Sequence, residues 1–342
     1  MNDNTNIAYI VVWVDDILLA ANTIHLLQRI KSTLETEFKM KDLGPISYFL
    51  GIEFKQTSEN ISMCQTYYIK NILSKFKMEN CKPRSTPCEA NLEVYKSNNN
   101  NSIHEESPSG TYREIVGSLV YAMTCSRPDL AWVVTKLSQH LANPNQADWM
   151  TIRHVLRYLK ATADYKLVYR KSNDGLQLST HSDSDWASEK EDRRSTTGYA
   201  ITLNKEGPVI AWKSKKQHTV ALSSCEAEYM ALTHTTQELL FLDMLCRDFD
   251  INNKHPIMIH GDNQGSLDMV RNSSSNDRSK HIDIKHHFIR DNYSNGIIDV
   301  TYIPTGENLA DLFTKASTKQ KLNLFHQHLF GRRTEEQSRK NI

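Results

Sequence analysis

Two runs of apolar residues, "IAYIVVWV" and "ILLA", flank an acidic pair, Asp15 and Asp16, within residues 7–20. Both runs read as short, buried, β-rich segments. A two-residue hairpin turn between them needs positive φ, which Asn-Gly or Gly-Gly provides and this stretch lacks. Adjacent like charges also repel unless a cation faces them. On these residues alone, a turn and a metal-binding pair stay equally open. From 23 to 38 the apolar positions Leu26, Leu27, Ile30, Leu34 and Phe38 recur at helical spacing, predicting an amphipathic helix. "YFLGIEFKQ" and "ISMCQTYYI" predict a strand pair around "TSEN", followed by a helix through "YIKNILSKFKM". Residues 82–110 are rich in Pro, Ser and Asn and carry no periodicity, predicting a long exposed connection. Residues 111–160 are patterned as helices; Pro128 suits a first helical turn, and Arg153, Arg157 and Lys160 fall on or near one face, which usually means a solvated one.

From about 165 the pattern changes to alternating strands, "KLVYRK", "LQLSTHSDSDWA", "TTGYAITL" and "VIAWKSKK". A long helical stretch over 223–248 follows, then a strand "IMIHGD", a helix from Asn263, another around "IDIKHHFIRDNY", a strand "IIDVTYI" and a last helix from about Glu307. Strands of antiparallel type followed by alternating helices and strands predict a mixed α/β layer fold, of the α+β kind.

Composition narrows the classes. With 342 residues the chain has room for about two to three domains. At 39% hydrophobic and 24% charged it reads as globular rather than disordered. A net charge of +1 gives no global pull toward nucleic acid, so any such binding must come from local patches. Cys64, Cys81, Cys88, Cys125, Cys225 and Cys246 form no C-x-x-C pair, predicting reduced thiols rather than a zinc site or disulfide framework. The first apolar run is too short to span a bilayer and lacks the features of a signal peptide. No membrane partner is expected, and an intracellular setting, cytoplasmic or nuclear, is the default.

Four acids in the second half stand out. Asp183 ends the strand-like run "LQLSTHSD". Glu228 lies among Tyr229, Met230 and Leu232, where a stray carboxylate is costly. Asp262 falls between the strand "IMIH" and the helix opening at Asn263, and Asp311 lies in "ENLADLFTK", about one turn into the predicted last helix. Each has a plainer account: Asp262 as a helix cap, Glu226 and Glu228 straddling a partly exposed face, Asp311 as a helix-dipole partner. Taken in order, strand-Asp, helix-Glu, strand-end-Asp and late-helix-Asp suit hydrolysis of a phosphodiester by two divalent ions about 4 Å apart, with hard oxygen ligands favouring Mg²⁺.

The blocks "SDSDWASEKEDRRSTTGYAITL", "AWKSKKQHTVALSSCEAEYMAL", "HGDNQGSLDMV", "RSKHIDIKHHFIR" and "IPTGENLADLFTK" closely resemble the ribonuclease H domain of copia-type retrotransposon Pol polyproteins, in the family's order. The resemblance implies a ribonuclease H-like mixed five-stranded sheet with flanking helices over 165–330, followed by a polar tail, 331–342. It implies Mg²⁺ (or Mn²⁺) as cofactor, an RNA–DNA hybrid as substrate, and Asp183, Glu228, Asp262 and Asp311 as catalytic metal ligands. Glu228 is chosen over Glu226 by the pattern "EYMAL", and Asp183 over Asp185 by its place at the strand's end. Many ribonucleases H carry a His in the loop before the last Asp; here "YIPTGENLAD" has none, and His281, His286 and His287 are the nearest alternatives. Basic segments within this domain predict phosphate contacts by Lys213, Lys215, Lys216, Arg278 and Lys280, with the hybrid distinguished by shape and 2′-hydroxyls.

Upstream, "VWVDDILLA", "FKMKDLGPISYFLGIEF", "YREIVGSLVYAMTCSRPDLAW" and "RHVLRYLKAT" look like the end of a copia-type reverse transcriptase palm (1–81) and its helical thumb or connection (111–164), joined by the linker-like 82–110. By that resemblance Asp15 and Asp16 bind metal ions for nucleotide addition, with Trp13 where the family usually has Tyr. A third carboxylate from an earlier palm strand completes that site in the family. Only 14 residues precede Asp15, so the expectation is a partial palm that does not polymerise alone; the alternatives are an inactive nucleic-acid-binding remnant of a transposon, or a polymerase active only with the remainder of a Pol polyprotein.

Overall fold

The computed structural model describes residues 6–90 and 110–331, apart from 173–174, 190, 205–206, 252 and 273–279; the side chains of 280–286 also lie outside what is described. The chain opens with the hairpin β1 (Ala8–Trp13) and β2 (Asp16–Ala21), whose register pairs Trp13 with Asp16 and leaves Val14 and Asp15 as a two-residue turn. Val14 takes φ 51° without any glycine, a strained choice for a β-branched residue. Helix α1 (Ile24–Glu37) follows, started by Thr23, whose hydroxyl accepts from Leu26 N at 3.2 Å. The predicted amphipathic helix forms, but of its apolar stripe only Leu26 is buried, and Phe38 is 61% exposed.

Strands β3 (Tyr48–Phe49), β4 (Ile52–Gln56), β5 (Asn60–Cys64) and β6 (Leu167–Arg170) form an antiparallel sheet. Strand β6 is "KLVYRK", grouped by sequence with the second half; in the structure its residues Leu167–Arg170 pair with Met63–Asn60 of the first. The change of texture at 165 therefore does not coincide with a change of sheet. Helices α2 (Thr66–Lys75), α3 (Tyr112–Cys125), α4 (Ala131–Ser138) and α5 (Gln146–Ala161) bury one apolar core, including Ile69, Ile115, Leu119, Ile152 and Leu156. The start of the predicted exposed connection is strapped to this core: Arg84 N donates to Arg157 O at 3.2 Å, Lys160 Nζ to Cys81 O at 2.8 Å, and Cys88 is buried. Residues 91–109 of that connection lie outside the described set.

The second half is built on five strands, β7 (Leu178–Asp185), β8 (Thr196–Leu203), β9 (Val209–Lys216), β10 (Ile257–Gly261) and β11 (Ile298–Tyr302), in the order β11-β10-β7-β8-β9. β7, β8 and β9 run antiparallel, while β10 lies parallel to β7 and β11. This is the ribonuclease H-like mixed sheet the sequence predicts. Helix α6 (Ser224–Asp248) packs on one face, joined by α7 (Gln264–Arg271) and α8 (Lys280–Ser294). The other face is covered by a 3-10 turn over Leu309–Phe313, by α9 (Lys319–Phe330) and by α4 from the first half. One core thus joins Ala131 and Leu167 to Ala200, Phe313 and Phe325. Gly198 makes this close approach possible, since a Cβ there would lie 2.8 Å from Ala310 O and 2.7 Å from Thr314 Cγ2.

The last helix differs from expectation. It starts at Lys319, capped by Thr318, and Asp311 lies in the separate 3-10 turn before it. Asn308 explains the break: its Oδ1 accepts from Ala310 N at 3.1 Å while its Nδ2 donates to Ser182 O of β7 at 2.9 Å, so the turn is held on the sheet. All six cysteines are free thiols. Among the described residues no helix is long and apolar enough to cross a membrane.

A fully buried ion pair locks α3, α4 and α5 together. Arg127 donates to Asp129 through Nε at 2.9 Å and Nη2 at 2.6 Å and to Thr162 Oγ1 at 2.6 Å, and Tyr158 OH donates to Asp129 Oδ2 at 2.6 Å. Neither charged side chain has any exposure. Asp129→Ala, which strands the guanidinium, is expected to lower unfolding free energy by about 3–5 kcal/mol, and Arg127→Met/Asp129→Leu by less. Urea melts of both variants check this; an equal loss in both would refute the account.

Candidate metal centre

Three carboxylates meet at one end of the five-stranded sheet. Asp183 lies near the end of the central strand β7, Asp262 follows β10, and Glu228 lies in the second turn of α6. One oxygen from each falls within 4.8 Å of the others. Asp183 and Glu228 are buried and Asp262 is partly exposed, so the group has an open side.

Local chemistry separates each acid from its plainer account. Asn263, not Asp262, caps α7, its Oδ1 accepting from Ser266 N at 3.0 Å; Asp262 is left for the centre. Glu226 serves the start of α6, its Oε2 accepting from Leu222 N at 2.8 Å. Glu228 is turned inward, accepting from Ser184 N of β7 at 3.1 Å. Asp185, two residues beyond Asp183 on the same strand, is not in the group; burial raises it above the ordinary carboxylate range.

Burial pushes the Asp183 carboxyl up to about 7, with the charges of Asp262 and Asp311 adding to the rise and the Thr314 hydroxyl and Lys315 ammonium opposing it. Glu228 is raised well above the ordinary range by burial, then by Asp183 and Asp262. Three carboxylates gathered in this way form an all-oxygen donor set that could hold a hard divalent ion.

Asp311 lies outside this group of three, though near enough for its charge to act on Asp183. Its fully buried carboxylate is bound by two ammoniums: Lys315 Nζ at 2.5 Å from Oδ1, and Lys321 Nζ on Oδ2. Of these surrounding groups, sequence reading missed Thr314, Lys315, Lys321 and Asn308; the one available signal was Asn308, a residue type that favours the start of a helical turn. It also missed Gln217, whose buried Nε2 lies 3.0 Å from Thr197 Oγ1, 3.0 Å from Ala227 O and 3.3 Å from Ser184 Oγ, tying the residues beside Glu228 and Asp183 to β8.

The remaining predicted residues are spread out. Lys213 and Lys215 sit opposite Tyr199 and Thr197 on one face of β9, whereas Lys216 falls on the other face and binds Asp192 at 2.9 Å. Strand alternation thus divides the basic run that sequence treated as one patch. Arg278 lies outside the described residues, and Lys280 begins α8 with its side chain, like those of His281 and His286, outside what is described. His287 is exposed on α8. Asp15 and Asp16 are exposed at the hairpin tip, and among the described residues no other possible ligands gather with them. The hairpin reading and the acidic pair coexist, because Val14 supplies the positive φ that glycine was expected to supply.

The family described as reverse transcriptase (RNA-dependent DNA polymerase) matches residues 2–90. A retrovirus-related Pol polyprotein from transposon TNT 1-94 of Nicotiana tabacum is 35% identical over 323 residues, covering 93% of this chain and 24% of that protein. An uncharacterized mitochondrial protein of Arabidopsis thaliana is 39% identical over 231 residues, 68% of this chain and 92% of its own length. The chain spans about a quarter of the length of the curated Pol polyproteins it matches. Among solved structures, LC11-RNase H1 in complex with RNA/DNA hybrid aligns with 40% of this chain and 93% of its own, at 16% identity and TM-score 0.31.

The raised Asp183 fixes a pH dependence. A carboxyl whose folded pKa of about 7 exceeds its ordinary 3.8 favours the fold while protonated, so stability from this group declines as pH rises from about 4 to about 7. In EDTA, Asp183→Asn is expected to be more stable than the parent at about pH 8, by roughly 2–4 kcal/mol, and nearly equal to it near pH 4. Excess Mg²⁺ should erase that advantage. Thermal melts across pH, with and without the ion, check both points.

Proposed function

Because this chain belongs to the Pol polyproteins of copia-type retrotransposons, we propose that its second half hydrolyses the RNA strand of an RNA–DNA hybrid with the help of divalent metal. The observation that carries this reading is the convergence of Asp183, Glu228 and Asp262 from three separate elements onto one open-sided point. A divalent ion bound there supplies a polarised phosphodiester and an activated water. Asp183 and Glu228 would hold the ion from the buried side of that site, and Asp262 from its open, solvent side. Asp311 is the fourth ligand of this reading, available once its lysine partners release it. Ser184 N fixes the Glu228 carboxylate, and the Thr314 hydroxyl fixes that of Asp183.

The hybrid meets the exposed side of the centre. Lys213 and Lys215 on β9 offer phosphate contacts that position a duplex without reading its sequence. Lys216, Arg278 and Lys280 remain further phosphate contacts of this proposal. In the first half, Asp15 and Asp16 are the metal pair of a polymerase hairpin that belongs with the rest of a Pol polyprotein.

The purified chain, mixed with labelled hybrid and Mg²⁺ or Mn²⁺, is expected to cut the RNA strand and leave the DNA intact. Asp262→Asn should lower that rate by about two orders of magnitude while sparing the fold, since it removes one ligand of a metal site. Equal cleavage by parent and variant, or none by either, would sink the proposal.

A further inference from the structure

The fourth carboxylate has an arrangement that the family resemblance does not supply. Asp311 is wholly buried, and a bare anion there would be severely destabilising. Two ammoniums answer one carboxylate: Lys315, four residues on, holds Oδ1 at 2.5 Å, and Lys321, ten residues on, holds Oδ2. The two differ in their freedom. Lys315 is 47% exposed at the mouth of the site, whereas Lys321 is 22% exposed. Lys321 is anchored at its backbone, where its N–H donates to the Thr318 hydroxyl at 3.3 Å.

The position of Lys321 is itself unfavourable by local rules. It stands in the first turn of α9, where the helix dipole disfavours cations and where no acidic residue is present to offset it. Its compensation is Asp311. Lys315 also acts beyond Asp311, since its charge reaches Asp183, Asp185 and Glu228. The residue before it, Thr314, donates its hydroxyl to Asp183. One short segment therefore brings a hydroxyl to one predicted ligand and an ammonium to another.

From this geometry we infer that Lys315 and Lys321 are tethered counter-ions of the metal centre, which occupy Asp311 in the metal-free chain and give it up when a divalent ion enters. The inference rests on the metal-site reading above and adds to it that metal affinity is set by competition with the chain's own lysines. Two like cations cannot share Asp311 with a divalent ion at close range without strong repulsion, so entry of the ion requires at least one lysine to leave. Lys315, half exposed, is the one free to swing out. The lysines are positioning residues here, acting through Asp311.

The test is Mn²⁺ titration by calorimetry, together with thermal melts in EDTA and in saturating Mn²⁺, of the full chain and of Lys315→Met, Lys321→Met and Lys321→Arg. Each methionine variant is expected to melt lower than the parent in EDTA, to regain most of that loss in Mn²⁺, and to bind Mn²⁺ about tenfold more tightly. Lys321→Arg, which keeps the charge, should resemble the parent in both readouts. Should Lys321→Met fail to fold, the half-exposed Lys315→Met carries the test. Equal loss of melting temperature with and without Mn²⁺, with unchanged affinity, would assign the lysines a structural role only and overturn the inference. A parent chain that binds no Mn²⁺ would overturn the metal-site reading itself, and this inference with it.

Discussion

Three acidic side chains are held together at the end of a sheet, in surroundings that exclude much of the water that would screen them. Mutual repulsion and burial both oppose ionisation, as the upward shifts of Asp183 and Glu228 record. Such an arrangement persists only if the backbone that carries it cannot relax. Strand β7 meets that need, since it lies in the middle of the sheet with β8 hydrogen-bonded on one side and β10 on the other. Buried donors then fix the individual oxygens: Ser184 N on Glu228 and Thr314 Oγ1 on Asp183. The cluster is a strained point supported by a rigid frame, the usual physical condition for a binding site.

That frame reaches across the chain. The helical segment before the second half is no spacer, because it packs on the outer strand of the sheet. Trp212 Nε1 donates to Met123 O at 3.0 Å, Thr135 Oγ1 to Ser214 O at 3.2 Å, and Tyr169 OH to Val209 O at 2.9 Å. Lys136 of α4 forms an ion pair with Glu189, in the loop after β7, and burial together with Lys216 pushes its ammonium down to about 8. The second half is thus covered on one face by residues that the sequence assigns to a different region. Strand β6, paired with β5, makes the same link from the other direction.

The two acidic features of the chain contrast in a useful way. Asp15 and Asp16 are as close in sequence as two acids can be, yet they lie exposed on a hairpin tip, where water screens them. Asp183, Glu228 and Asp262 are separated by 45 and 34 residues, yet the fold crowds them into one point with too little solvent to separate their charges. Proximity in sequence is a poor guide to electrostatic stress; shared burial is the better one.

Residue patterning predicts the element types in most of the chain, because period-2 and period-3.6 repeats are local. It also determined the mixed sheet and the order of the acids, through motif blocks whose residues lie close together. Asp183, Glu228 and Asp262 were legible for that reason. The remaining features depend on contacts between distant segments, which no local pattern encodes. The fold turns Glu228 toward Asp183 and Asp262 while Glu226 accepts from Leu222 N, and it gives the cap of α7 to Asn263, leaving Asp262 beside the other two acids. It moved "KLVYRK" into the first sheet, divided the basic run of β9 between two faces, and set Asp311 in a turn bound by Lys315 and Lys321. Periodicity says which residues face inward; it does not say which partner meets them there, and charge compensation in a buried site depends on that partner.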